Sequence, residues 1–132
     1  MPELGAIACG HPVTAAAAEE ILRDGGNAFD AAIAAQFTAC VAEPVLASLG
    51  GGGFLLAHPL DAAPCVYDFF VQTPCHKHDP RQLDFFPVQA DFGTTTQEFH
   101  IGLGSTATPG SVAGMFRIHL SLIHISEPTR RA

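Results

Sequence analysis

The sequence has 132 residues, enough for a single domain of ordinary size. Apolar residues make up 48% of it, charged residues only 14%, and the formal net charge is −7. The acidic balance argues against nucleic acid or an anionic membrane as a partner, and the low charged fraction predicts that other protein covers part of the surface.

Targeting and redox signals are sparse. The first residues contain no basic region and no long apolar run, which predicts a cytoplasmic protein. The longest apolar stretch, residues 28–42, is interrupted by Asp30 and is shorter than the roughly 20 residues of a membrane span. The cysteines, at positions 9, 40, 65 and 75, have no C-x-x-C spacing and are predicted to be reduced and mostly buried.

The first third of the chain predicts a short strand and two helices. Residues 5–10 form an apolar run between glycines, typical of a strand. A helix is predicted from an N-cap at Thr14 to a glycine stop at Gly25 or Gly26. Asn27 and Asp30 have the spacing of a capping box for a second helix over residues 28–42. That helix is apolar almost all round, which predicts burial on all sides. Because this chain alone has little to bury it with, a larger parent protein is predicted.

Four consecutive glycines, Gly50, Gly51, Gly52 and Gly53, follow the second helix. A phosphate-binding loop has the order strand, glycines, helix, whereas these glycines lie between a helix and a strand. They therefore indicate close backbone packing, which we expect to lie near a functional pocket. Two strands, residues 53–59 and 65–70, are predicted to form a hairpin after them.

The rest of the chain is less regular. Residues 71–93 contain several prolines and predict an irregular excursion, followed by a weak strand near residues 98–104. Residues 107–110 read ATPG and predict a turn, with Ser111 capping a short helix after it.

The last residues form a separate segment. Residues 120–130 read LSLIHISEPTR, which resembles one reading frame of a transposon-end sequencing adapter. We therefore expect residues 1–119 to be native and residues 120–132 to be a non-native tail, and we base the predicted fold on the first part. We also expect the natural product to continue past His119.

Several polar residues could carry chemistry. Residues 75–79 read CHKHD, which are metal-ligand types, but structural zinc sites use two separated ligand pairs and no second pair is evident. A solvated loop is the simpler interpretation. His11 and His100 could each assist a nucleophile, but no nucleophile motif accompanies them.

Four segments together carry a family resemblance: GGNAFDAA at residues 25–32, LGGGGF at 49–54, DFFVQTP at 68–74 and GLGSTATPGSVAGMF at 102–116. In this order and spacing they resemble the N-terminal part of the large subunit of the gamma-glutamyltransferase family. The resemblance extends over about residues 5–119.

The resemblance implies an α/β chain with a truncated N-terminal-nucleophile hydrolase fold, in four layers α/β/β/α. Such precursors cleave themselves, and the freed N-terminal threonine of the small subunit attacks a gamma-glutamyl amide, with no cofactor and no metal. That threonine lies downstream, so no catalytic residue is expected here and the 132-residue chain is expected to be inactive alone. The implied partners are a small-molecule amide and the remainder of the same precursor.

One position departs from the family pattern. This chain reads Asp68, Phe69, Phe70, Val71, where typical members have Asp-Phe-Arg-Glu. In those members the arginine holds the α-carboxylate of the substrate, because a guanidinium matches a carboxylate in a bidentate fashion. Phe70 and Val71 are thus the expected substrate-contact positions. Either an arginine elsewhere takes this role, or the substrate is not a gamma-glutamyl amino acid.

Three hypotheses follow for function. The first is an amide-cleaving, self-processing hydrolase or transferase of glutathione metabolism or of a related amide. The second is a scaffold or binding protein that keeps the fold without the chemistry. The third is a small metal-binding protein that uses the CHKHD segment.

Overall fold

The computed structural model describes residues 5–122. The chain divides into two compact units, one drawn from Met1–Val71 and Pro109–Ala132 and the other formed by Gln72–Thr108. Within the described residues, no helix is both long and apolar enough to cross a bilayer.

The first helix, α1, spans Pro12–Arg23. Its N-cap is His11, whose Nδ1 accepts the Val13 N–H at 3.2 Å, and Pro12 occupies the first turn, where no backbone donor is needed. The predicted N-cap, Thr14, was therefore wrong: the proline begins the helix earlier, and Thr14 is buried within it. Gly25, with φ +87°, follows the end of the helix as predicted.

The second helix, α2, spans Ala28–Ala42, and its predicted capping box is confirmed. The Asn27 side chain accepts the N–H groups of Phe29 and Asp30 at 2.8 and 2.9 Å, and the Asp30 carboxylate accepts the Asn27 N–H at 3.0 Å. In this chain only Ala31 of α2 is fully buried, and Val41 is 82% exposed, so the burial predicted within a larger parent stays a prediction. The helix α1 packs along one side of α2 and leaves its outer apolar side chains uncovered.

The predicted hairpin is confirmed as β1, Phe54–Ala57, paired antiparallel with β2, Cys65–Asp68. The third helix, α3, spans Ser111–Leu122 and packs on the inner face of this hairpin and on α2. Ala57, Ile118 and Leu122 form the buried centre of this core. The partly buried side chains around it are Phe29, Ile33, Leu55, Tyr67 and Phe69.

Two segments of the chain differ from their predicted structure. Residues 5–10 are not a strand, because a strand exists only as part of a hydrogen-bonded ladder and no described residue pairs with them. Conversely, the excursion predicted as irregular contains a strand, β3, Phe86–Asp91, which pairs with β4, Thr96–Ile101. Strand β3 was not predicted because Pro87 lies within it. Proline is tolerated on an edge strand, and each strand of a two-stranded sheet is an edge.

The tail predicted to be non-native begins inside α3, since residues 120–122 are its last three helical residues. Most of the tail lies outside the described residues. Its proposed origin stays a prediction.

Candidate functional site

The glycine run is held between two other backbone segments of its own unit. Gly53 pairs with Phe69, with the Phe69 N–H donating to Gly53 at 3.0 Å and the Gly53 N–H to Phe69 at 3.3 Å. A Cβ at Gly52 would lie 2.5 Å from the Val71 nitrogen. The Gly51 carbonyl accepts the N–H groups of Gly110 and Ser111 at 2.9 and 3.0 Å. Three of the four glycines thus contact other backbone segments directly.

The fourth glycine is different, since the nearest atom to a Cβ at Gly50 would be the Ser48 Oγ at 3.9 Å. The left-handed glycines of the described chain are Gly5, Gly25, Gly93 and Gly102, so the run from Gly50 to Gly53 is not required by positive φ. Lack of space for a side chain is the physical reason for glycine at position 52, whereas a Cβ at Gly53 would press on the Phe69 ring at 3.1 Å.

The start of α3 uses glycine for the same reason. A Cβ at Gly110 would overlap the carbonyl oxygen of Phe69, and one at Gly114 would overlap the Phe69 ring. Gly110 and Gly114 therefore allow the start of α3 to contact the segment that follows β2 directly. Residues 107–110 do not form the predicted turn. The glycine run, the Phe69 segment and the first turn of α3 form one tightly packed corner.

A polar cavity of ≈ 350 Å³ opens beside this corner. It is lined by Gly51, Gly52, Gln36, Ser111 and the loop of residues 44–48. Ser111 is only 1% exposed, so the cavity reaches into the packed interior at the start of α3. Gly51 and Gly52 line this cavity, and the expectation that the glycine run lies near a functional pocket stays a prediction.

The substrate-contact positions expected from the sequence, Phe70 and Val71, lie in this corner. Val71 meets Gly52 through its backbone. Phe70 is 49% exposed, its N–H donates to Asp68 Oδ1 at 3.0 Å, and its ring stacks on that of Phe54 with centroids 5.4 Å apart. Position 70 is therefore occupied by an apolar ring presented at the surface, where typical members of the resembled family carry a charged group.

The sequence reading missed the contributions of Ser111, Gln36 and Phe54. Ser111 was predicted only as a helix cap, and Gln36 was given no role. Phe54 directly follows the glycine run, and its place in the ladder opposite Asp68 is what brings it beside Phe70. Strand register could have suggested that neighbourhood, but the cavity needed the folded chain.

A second cavity, of ≈ 440 Å³, lies between α1, α2 and the inner face of the hairpin. Its lining is mostly apolar and rich in alanine, from residues such as Ala18, Ala31, Leu55, Met115 and Ile118. These side chains offer contact surface, with little capacity for acid–base chemistry.

The other residues considered as candidates from the sequence make local structural contacts. His11 caps α1, and the His100 ring stacks on Phe85 with centroids 4.6 Å apart. In the CHKHD segment, Asp79 accepts two hydrogen bonds from the Arg81 side chain at 2.8 and 3.1 Å, and this pairing lowers the pKa of Asp79. Across residues 5–122, no three histidine, cysteine, aspartate or glutamate side chains converge as metal ligands would.

The four cysteines are free thiols, as predicted, but their predicted burial was wrong. Cys9, Cys65 and Cys75 are exposed, and Cys40 is half-buried. Cys9 precedes α1, Cys65 begins the edge strand β2, and Cys75 lies in a loop.

The fold has close counterparts among solved structures. The Helicobacter pylori gamma-glutamyltranspeptidase matches with a TM-score of 0.72 at 26% identity, over 92% of this chain and 34% of that one. The Pseudomonas nitroreducens gamma-glutamyltranspeptidase matches with a TM-score of 0.68 at 31% identity, over 88% and 33% of the two chains. The fold class predicted from the sequence is confirmed: this is part of an α/β N-terminal-nucleophile hydrolase fold.

The family model for gamma-glutamyltranspeptidase matches residues 14–122, and the chain belongs to this family. A glutathione hydrolase proenzyme of Pseudomonas aeruginosa is 33% identical over 116 residues, which cover 87% of this chain and 20% of that protein. Acylase ACY 1 proenzyme of a Pseudomonas strain is 39% identical over 113 residues, covering 83% and 20%. The chain thus spans about a fifth of the length of these relatives.

Proposed function

We propose that this chain is the N-terminal part of the large subunit of a self-processing amide hydrolase or acyltransferase. The observation that carries the proposal is the match over residues 14–122 together with the packed glycine corner. The matched relatives from Pseudomonas are proenzymes, which supports a precursor that is cut into two subunits. The remaining part of the same precursor is then the protein partner of this chain.

In the proposed reaction, the freed N-terminal threonine of the small subunit supplies the nucleophile. Its hydroxyl adds to the amide carbonyl while its own α-amine takes up the proton. The α-amine passes this proton to the amine of the substrate, which leaves, and an ester-linked acyl-enzyme remains. Water or an amino acceptor then releases the acyl group. Residues of this chain contribute one wall of the pocket. Gly50 to Gly53 allow the close backbone packing behind that wall, and Phe70 and Val71 face the acyl group.

The substrate class is a second part of the proposal. A phenyl ring cannot pair with a carboxylate as a guanidinium does, and Phe70 presents such a ring at the surface. We infer that the acyl group lacks an α-carboxylate at this position. The name of the acylase relative leaves the acyl group open, whereas the name of the glutathione hydrolase relative supports the gamma-glutamyl alternative.

The test begins with the complete reading frame of the parent gene. The expressed precursor should split into two chains, the smaller one beginning with threonine, and replacement of that threonine by alanine should abolish both cleavage and amide hydrolysis. A precursor that never splits and hydrolyses no amide would favour the scaffold hypothesis.

The variant Phe70→Arg in the complete enzyme tests the substrate class. We expect it to increase glutathione hydrolysis, because it restores a partner for the α-carboxylate. If the native enzyme already hydrolyses glutathione as well as the variant does, the inferred substrate class is wrong.

A further inference from the structure

The rings of Phe54 and Phe70 form a stacked pair on the outer side of the β1–β2 hairpin. Their centroids are 5.4 Å apart and their planes are inclined by only 12°. Phe54 is 62% exposed and Phe70 49% exposed. We call these two rings the aromatic face.

The local backbone sets the orientation of the aromatic face. Successive side chains of an extended segment point to opposite sides, and Phe69 is turned inward against Gly114 and the core. Phe70 is therefore directed outward. Its N–H is held by Asp68 Oδ1 at 3.0 Å, and Asp68 lies opposite Phe54 in the ladder. The pair is ordered by contacts within its own unit before any ligand arrives.

The aromatic face lies at the end of the hairpin that adjoins the glycine run. Phe54 directly follows Gly53, and Phe70 directly precedes Val71, whose backbone abuts Gly52 at the polar cavity. Leu56 and Val66 continue the outer side towards the far end of the hairpin. They are aliphatic, so the aromatic character is confined to the end beside the glycine run. Neither ring lines the polar cavity itself, and Phe54 also lines the apolar cavity.

We propose, on the basis of the function proposed above, that the aromatic face recognises an aromatic ring in the acyl group of the substrate. Aromatic rings gain energy from stacked or edge-to-face contact beyond that of their buried area. A ring carried a few methylenes from the reacting carbonyl would contact Phe54 and Phe70 where a gamma-glutamyl group would present its carboxylate. The enzyme is then an arylalkanoyl amidase that converts the amide and water into an arylalkanoic acid and an amine.

The test compares two p-nitroanilides that differ only in aromaticity. The complete, self-processed enzyme is assayed with 4-phenylbutanoyl and 4-cyclohexylbutanoyl p-nitroanilide, whose acyl groups have similar size and hydrophobicity. We expect kcat/KM to favour the phenyl substrate by about three- to tenfold, the range of an aromatic pair contact. Phe70→Leu and Phe54→Leu should each bring this ratio close to one, and Phe70→Tyr should preserve it.

Phe116→Leu is the matched control, because Phe116 is 57% exposed on α3 and is not part of the aromatic face. It should leave the ratio unchanged. A native ratio near one, or a ratio that survives both leucine variants, overturns the inference while leaving the proposed hydrolase intact. Faster hydrolysis of gamma-glutamyl p-nitroanilide than of either substrate overturns the inferred substrate class as well, and a complete precursor that hydrolyses no anilide overturns the proposed function itself. If a leucine variant fails to self-process, the ratio of kcat/KM values measured with the native enzyme still tests whether an aromatic ring is recognised.

Discussion

Gly52 lies directly against the backbone of Val71, so that a Cβ at residue 52 would fall 2.5 Å from the Val71 nitrogen. The contact is between backbone atoms on both sides, and neither segment can yield by rotating a side chain. The corner that positions Phe70 therefore depends on the absence of one carbon atom.

Replacing Gly52 by alanine should disrupt this corner. We expect a loss of about 1–3 kcal/mol, the usual cost of overpacking, and a lower Tm of the complete protein in scanning calorimetry. Gly50→Ala is the control, because a Cβ there would meet nothing closer than the Ser48 Oγ at 3.9 Å. Equal Tm values for the two variants would contradict the close packing described for Gly52.

The hydrogen bond between Thr14 and Glu43 should stabilise the contact of α1 with the end of α2. The Thr14 hydroxyl, which is nearly fully buried, donates to Glu43 Oε1 at 2.9 Å. Thr14→Val keeps the shape but removes the donor, and should cost about 1–3 kcal/mol, as for hydrogen bonds to charged groups. Glu19→Gln breaks an exposed ion pair with Arg23 and should change the Tm little. A Thr14→Val protein as stable as the parent would show that this bond contributes nothing.

The capping box of α2 gives a third prediction. Asn27→Ala removes the acceptor for the N–H groups of Phe29 and Asp30 and should cost about 1 kcal/mol. Amide hydrogen exchange of the first turn of α2 should then be faster. Asn27→Asp retains a side-chain oxygen at the cap and should keep the exchange slow; faster exchange in both variants would argue against the capping role.

The tail supplies a fourth prediction. We expect genomic DNA of the parent organism to encode a different sequence from residue 120 onward. Position 122 should nevertheless be apolar, because Leu122 is 4% exposed and shares the core face of α3 with Met115 and Ile118. Direct sequencing of the gene checks both statements. A genome that encodes residues 120–132 as printed would refute the adapter origin, and a charged residue at 122 would contradict the packing of α3.

Local features of the chain could be predicted well from the sequence. The Asn27–Asp30 capping box, the limits of α2 and the β1–β2 hairpin depend on residues close together along the chain, and they agree with the structure. The family was likewise readable, because its motifs are short and contiguous. The start of α1 was misplaced only because Pro12 and His11 outweighed Thr14 as a local signal.

Contacts between distant segments were decided by the tertiary structure alone. The sequence showed that four glycines stand together, but only folding shows that Gly52 lacks room for a side chain while Gly50 has it. Strand β3 became visible through its pairing with β4, and residues 5–10 show that an apolar run without a partner is not a strand. The stacked rings of Phe54 and Phe70 also come from strand register. The glycine contacts join segments that are far apart along the chain, so no local pattern could predict them. Strand β3 is close to β4 along the chain and was missed because Pro87 interrupts its pattern.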